Sequence, residues 1–519
     1  MIPLWANPEF IRNCRAQLRP RRIMLIGILV AVLSFVAGYS TKQAYAGAPG
    51  WGETFLGIAM WVQMVVLVIG GGLACGLSIS RERDQNTLDF QRVTQLTALE
   101  LAIGKLFGAP ILSYFTALCL MPAVLTGAVA NGTSLSLIAG AYLLLLLGAI
   151  AFHALALVYS MGAPKGSPGV AGIVLVLAFL AGLAPSSTPR LFFDMGGLGP
   201  AAAVDFALHG TWRIGGTTAV QPGDFVSQPP WTDVFFGVPV HHLPVLVLLY
   251  ASFVAWCLIP LVRNLKRDPA VLEIYSPAQS VGLLCYVNLI MVGFYLLSRP
   301  DYSREPPAGQ TASTTFQFFL IVNLVLLMLL GLSLLRNREQ SRRRAYQHAR
   351  GFDWTEAGWP AGCILAGAAT AAVMVIARFA LVSGMDNNLD GKFAAFQAVM
   401  LLALIVRDLC YLQWMNLRRT RHPITLAVML LGVYYTCVSL FDSFAGLGKR
   451  PGAFFEAIFL PWLLAGDRSA DWNTNPGPWF VGLAVQIALA ICFAALHYRA
   501  VTGLRPAVAS PLPATVETA

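Results

Sequence analysis

Apolar residues in this chain neither alternate nor recur as narrow stripes; they come in long blocks separated by short polar stretches. Twelve blocks approach or exceed the roughly 20 residues that cross a ~30 Å hydrocarbon layer as a helix. They are 23–39, 55–79, 106–129, 133–160, 168–185 and 241–262, then 280–298, 313–335, 361–384, 392–412, 425–445 and 480–500. Unbroken blocks of this length predict helices, because a helix satisfies its own backbone in lipid. The expected fold is an all-α polytopic membrane protein with about 12 transmembrane helices.

Two polar stretches carry patterns of their own. In the leader, Asn7 is placed to cap a helix whose first residues, Pro8 and Glu9, suit the donor-rich positive end. At 100° per residue Phe10, Ile11, Cys14 and Leu18 share one arc, and Arg12, Arg15, Arg19 and Arg22 the next. This predicts an interfacial N-terminal helix, with Pro20 bending the chain into the first span. After the second span, Arg81, Glu82, Arg83 and Asp84 reach the polar side, and Asn86 tolerates a left-handed turn. Thr87 then caps a short helix through Leu96 that bears Leu88, Val93 and Leu96 among Asp89, Gln91 and Arg92. Thr97-Ala98-Leu99-Glu100 reads as a capping box that starts the helix continuing into the third span. The insert has the form of a short helix held between two spans, suited to docking on a soluble partner.

Composition agrees with a membrane setting. The chain is 57% hydrophobic and 12% charged, with a mean hydropathy of +0.67; soluble domains carry about 25% charged residues. With the N-terminus inside, 24 of 35 Lys and Arg fall at cytoplasmic segments and 9 outside, leaving Arg378 and Arg407 within helices. The acids show no such bias, with 11 inside, 13 outside and Asp408 in a helix, as a positive-inside rule predicts. A multi-pass protein of the cell (inner) membrane with both termini cytoplasmic is expected. The net charge of +10 fits attraction to anionic membrane lipids, and no basic-aromatic constellation points to nucleic acid. Eight of nine cysteines lie in apolar blocks and none forms a CxxC pair, against disulfides or structural zinc. Ala44-Tyr45-Ala46 has the small-x-small form of a signal cleavage site, but the long basic leader and the many later spans favour an uncleaved first helix.

The insert also resembles a known family. Membrane subunits of the ABC-type-2 permease family carry, after their second span, E-x-x-x-G-T-L-E, then T-P-L-S-x-x-E-I and G-K. Here Glu82, Thr87, Leu88, Asp89, Thr94, Leu96, Glu100, Gly104 and Lys105 match, with Thr97 for Ser and Leu101 for Ile. Asn86 replaces Gly and Gln95 replaces Pro, which leaves the second bend less rigid. The Asn-Pro-initiated basic leader is similar to the family's interfacial helix. The resemblance implies a permease, an exporter of the ATP-binding-cassette class, with this insert as its coupling helix. The coupling residues would be Arg81, Glu82, Arg83, Asp84, Thr87, Leu88, Asp89, Thr94 and Glu100. No phosphate-cradling G-x-x-x-x-G-K-[ST] occurs, so the chain itself is expected to be no enzyme and to hold no cofactor. ATP and Mg would belong to a separate ATPase subunit, docked as a dimer.

A shift of 255 residues lays 106–129 on 361–384 and aligns most other spans. Gly76-Leu77-Ser78-Ile79-Ser80-Arg81-Glu82-Arg83-Asp84-Gln85 then faces Gly331-Leu332-Ser333-Leu334-Leu335-Arg336-Asn337-Arg338-Glu339-Gln340, six identities in ten. An internal duplication follows, with a six-helix half at 1–265 and a divergent second half at 266–519. The counterpart of the insert, 336–352, is far more basic and lacks the Thr-Leu-acid pattern. Long loops at 186–240 and 446–479 occupy equivalent places and are expected to carry short re-entrant or surface helices. One chain or a homodimer would satisfy this reading equally.

Ionisable residues inside a bilayer are costly enough to be site candidates by default. Arg378, Arg407, Asp408, His153 and Asp442 are the candidates for a substrate pathway. Against that role, Arg407 can snorkel, adjacent Arg407 and Asp408 point to different faces, and His153 and Asp442 suit helix–helix hydrogen bonding. His241-His242 at a span boundary reads as interfacial, so no metal site is expected. The rival function is a 12-helix secondary transporter of the major-facilitator type driven by an ion gradient. Its tight Gly-x-x-x-Asp-Arg turn is absent from the insert. A membrane-embedded transferase would need clustered acids or histidines at one face, and none occur.

Overall fold

Apolar blocks become helices wherever they are described. The computed structural model describes residues 3–45, 50–88, 91, 93, 95–162, 202–209, 232–235, 238–267, 274–293, 391–418, 426–435 and 477–503, with isolated positions at 323, 326, 327, 330, 372 and 423. Seven helices are long and apolar enough to cross a membrane among these residues. The chain is thus a predominantly helical membrane protein. It divides into two units, Met1–Ile274 and Tyr275–Ala519.

The first unit opens with α1 (Pro8–Gln17) and α2 (Pro20–Ala44). Asn7 caps α1, its side chain accepting from the Glu9 and Phe10 amides, and Pro8 takes the first turn where no donor is needed. Pro20 likewise opens α2. Met24, Leu25, Ile28, Leu29, Val32, Leu33, Phe35 and Val36 of α2 are all exposed, and only 6% of its most apolar stretch is buried. A helix with apolar side chains outward on nearly every side suits lipid, not water.

Helix α3 (Trp51–Asp84) is one long span interrupted by a π-helical turn at Val66–Gly70. Its end is set by Asn86, whose φ of 55° is the left-handed turn expected there. The Thr97–Glu100 capping box forms in full and starts α4 (Ala98–Gly108). The expected continuation into the third span does not occur: the chain breaks at Ala109–Pro110 and restarts as α5 (Ile111–Asn131). Pro110 has no amide to donate and its backbone, at φ −89° and ψ 15°, leaves the helical region, so the ladder is interrupted there. Helix α6 (Leu135–Gly162) packs against the second part of α3 and against α8 (His242–Asn264). Where these meet α4, Cys75, Ile79, Leu101, Leu106, Leu157, Met161, Cys257 and Leu261 form a buried cluster.

Between α6 and α8 the described pieces are α7 (Ala202–His209) and a hairpin of β1 (Thr232–Phe235) and β2 (Val238–His241). The hairpin pairs antiparallel with Thr232 opposite His241. It is the one departure from helix among the described residues, in a loop where only helices were expected. With two strands both are edges, so Pro239 costs no ladder bond it could not spare.

The second unit contains α9 (Pro277–Met291), α10 (Gly391–Asn416), α11 (Leu426–Tyr435) and α12 (Gly477–Thr502). A capping box of Ser276 and Gln279 starts α9, a signature that reading of the sequence passed over. Helices α10 and α12 pack through edge-to-face rings, Phe396 on Phe480 at 5.4 Å and Tyr411 on Phe493 at 5.3 Å. The runs 168–185, 313–335 and 361–384, the basic stretch 336–352 and the loop 446–476 lie outside the described residues or touch them only at isolated positions.

Candidate functional site

The insert after α3 is anchored by charge as well as by apolar burial. Lys105 of α4 is wholly buried, with Nζ 3.1 Å from Glu9 Oε1 and in contact with Glu82 Oε2. Arg12 reaches over the same pair from α1, its guanidinium donating to Glu9 Oε1 at 2.8 Å and to Glu82 Oε1. Two acids thus meet two bases and the group is formally neutral, which is what makes its burial tolerable. Burial works against the charge on Arg12, but Glu9 and Glu82 outweigh it and hold its pKa above the usual arginine value.

Helix α1 seats against α4 through polar contacts. Asn7 Nδ2 donates to the Glu100 carbonyl at 2.7 Å, and Gln17 Nε2 donates to the Ala109 carbonyl at 3.0 Å. The second bond serves a carbonyl freed by the break at Pro110. Gly104 makes the approach possible, since a Cβ there would lie 2.7 Å from Asn7 Oδ1 and 2.9 Å from Glu9 Cβ. The end of α3 is tied to α6 as well: the Ser80 amide donates to Ser160 Oγ at 3.0 Å, and Arg83 donates to the Met161 carbonyl in the last turn of α6.

The coupling candidates therefore separate. Glu82 and Glu100 are buried within the chain, and Leu88, at 3% exposure, belongs to the cluster beneath α4. Thr87 Oγ1 returns to the Glu82 carbonyl at 3.2 Å. Arg81, Asp84, Gln85, Asn86 and Gln95 are exposed, and Val93 is 83% exposed. Asp89 and Thr94 lie outside the described residues. Glu9 and Lys105 were absent from the expected site. The signals available were Glu9 as the lone acid in the basic leader and Lys105 as the lysine of the matched G-K.

Of the intramembrane candidates, Arg378 and Asp442 lie outside the described residues. His153 is fully buried in α6, with Nε2 2.9 Å from the Leu67 carbonyl and Nδ1 3.0 Å from the Tyr114 hydroxyl. The Leu67 carbonyl belongs to the π turn, where the wider spacing disturbs the i→i−4 ladder and leaves room for a side chain to bond. Gly71 faces this ring so closely that a Cβ there would overlap Nε2. The helix–helix role is what this geometry provides.

Arg407 and Asp408 do not point apart. Arg407 Nε donates to Asp408 Oδ1 at 2.8 Å, Nη1 to Gln486 Oε1 at 2.7 Å, and Nη2 to the Tyr435 hydroxyl at 2.7 Å. Tyr435 in turn donates to Asp408 Oδ2 at 2.5 Å. Arg407 does not snorkel; it folds inward because Asp408, Tyr435 and Gln486 offer complete pairing inside α10, α11 and α12. Among the described residues no three of His, Cys, Asp and Glu gather as a metal site would require.

Comparison of the chain with family models, with curated proteins and with solved structures gives no match.

Proposed function

We propose that the chain is the transmembrane permease subunit of an ATP-binding-cassette transporter. It moves a substrate across the membrane, outward in the preferred reading, with ATP hydrolysed by a separate ATPase subunit. In this reading twelve helices form two six-helix halves, and the insert at 81–100 is the handle on which the ATPase pulls.

One observation carries the reading. Glu82, Leu88 and Glu100 are fixed into the chain, while Arg81, Gln85, Val93 and Gln95 face outward. A knuckle tied into the chain through Glu82, Leu88 and Glu100, with an 83%-exposed valine between those anchors, has the mechanical form that force transmission requires. A plain connector between two spans would need none of this bracing. The resemblance of 82–105 to the permease motif supports the same reading.

The test is copurification in detergent of the chain with a nucleotide-hydrolysing subunit. Val93→Asp with Arg81→Glu changes only exposed groups and is expected to abolish the association while leaving the chain folded. Retained association with this variant sinks the docking assignment. Gradient-driven uptake by the chain alone, without ATP, would move it to the secondary-transporter class.

A further inference from the structure

Helix α1 meets the protein through a largely polar arc. Asn7 and Glu9 are buried, and Asn13 and Gln17 are half-buried, with Asn7 and Gln17 hydrogen-bonded to α4 and its end. The apolar arc of Phe10, Ile11, Cys14 and Leu18 is half-buried, in the same range as Asn13 and Gln17, and so keeps part of its surface free. Burial raises the Cys14 thiol above its usual pKa. At the N-terminal end Trp5 is 79% exposed, and its ring suits the depth of lipid headgroups.

Cations gather at the other end. Arg12 is engaged by Glu9 and Glu82, but Arg15, Arg19, Arg21 and Arg22 are exposed, and none has a side-chain partner among the described residues. They surround the corner where α1 gives way to α2, whose exposed Met24, Leu25 and Ile28 follow within two turns. Four unpaired guanidinium groups thus stand at the boundary between a half-exposed apolar arc and a helix built for hydrocarbon. Planar guanidinium forks match phosphate oxygens.

We propose that the α1–α2 corner is a binding site for phosphate-bearing headgroups of anionic lipids, with Arg15, Arg19, Arg21 and Arg22 as the cationic contacts. The apolar arc of α1 seats among the upper acyl carbons, and the polar arc holds the helix against α4. Because Glu9 and Arg12 belong to α1, lipid occupancy bears on the Glu82–Lys105 joint from outside. The site needs neither an ATPase nor the transporter reading.

The experiment uses the full chain in non-ionic detergent with added phosphatidylglycerol, phosphatidylcholine or inorganic phosphate. Bound lipid is counted by native mass spectrometry, and thermal unfolding is followed in parallel. Phosphatidylglycerol is expected to be retained and to raise the melting temperature, with phosphatidylcholine doing neither. Replacing the four arginines with Gln is expected to weaken retention about fivefold per arginine, about 600-fold in total. The lipid-free melting temperature should stay unchanged, since these exposed side chains make no hydrogen bond or ion pair with the described residues. Arg→Lys at the same positions should keep most of the retention, as charge supplies the larger part. Should the fourfold Gln variant not fold, Arg22→Gln alone reads the same loss at about fivefold. Undiminished retention in the Gln variants, equal retention of phosphatidylcholine, or full displacement of phosphatidylglycerol by inorganic phosphate overturns the proposal.

Discussion

The Lys105 ammonium and the Glu82 carboxylate meet at a point with almost no solvent, 23 residues apart in the chain and on different helices. The contact closes the insert on itself, so that the segment between them leaves and re-enters the same place. Removing either partner leaves the group of Glu9, Arg12, Glu82 and Lys105 with one uncompensated charge, which costs about 3–5 kcal/mol when buried. Lys105→Met and Glu82→Gln are each expected to destabilise the first unit by that amount in denaturant unfolding. The double variant should cost less than the sum of the two, because no unpaired charge then remains.

Leu88 and Val93 offer a contrast within one short stretch. Leu88→Ala removes a side chain from the buried cluster and is expected to cost about 2–5 kcal/mol. Val93→Ala, at an exposed position, should stay within about 0.5 kcal/mol. Parallel thermal unfolding of the two variants decides it, and equal losses would refute the placement of the insert.

His153 and Gly71 are expected to couple. Gly71→Ala drives a methyl into the imidazole and breaks its bond to the Leu67 carbonyl, while His153→Ala vacates the same space. Leaving that carbonyl unpaired costs about 1–3 kcal/mol. The combined variant should therefore unfold no more easily than Gly71→Ala alone, in a double-mutant cycle read by urea or heat.

Tyr435→Phe deletes one hydroxyl that serves both Arg407 and Asp408. Its loss is expected to cost about 1.5–3 kcal/mol, as for hydrogen bonds to charged groups. Asp408→Asn should be worse, because Arg407 then keeps a buried charge without its counter-ion. A Tyr435→Phe protein as stable as the parent would show that the hydroxyl bond carries no weight.

What was legible in the sequence was what depends on neighbours along the chain. Asn7 as a cap, Asn86 in the left-handed region and the Thr97–Glu100 box all act within four residues, so residue type alone identifies them. The apolar blocks likewise fixed seven spans by length and composition. The break at Pro110 was missed because apolar residues continue on both sides of it and hide the lost donor. The meeting of Glu9 with Lys105 spans 96 residues, and no local pattern encodes it. The Arg407–Asp408 pair was misread for another reason. The 100° rule places Cβ atoms, whereas a long guanidinium can curl back to the next residue when Tyr435 and Gln486 complete its bonding. The π turn leaves no mark in residue type, and its partner His153 lies 86 residues away from Leu67.

The bareness of α2 has a mechanical consequence. Its 25 residues extend about 37 Å, more than a ~30 Å hydrocarbon layer, and few neighbours dictate its slant. Changes in bilayer thickness would then be met more readily by tilting this outer helix than by rearranging the closely packed α3, α5 and α6. The first crossing thus serves the rest of the protein as a float, settling to the depth that the surrounding lipid allows.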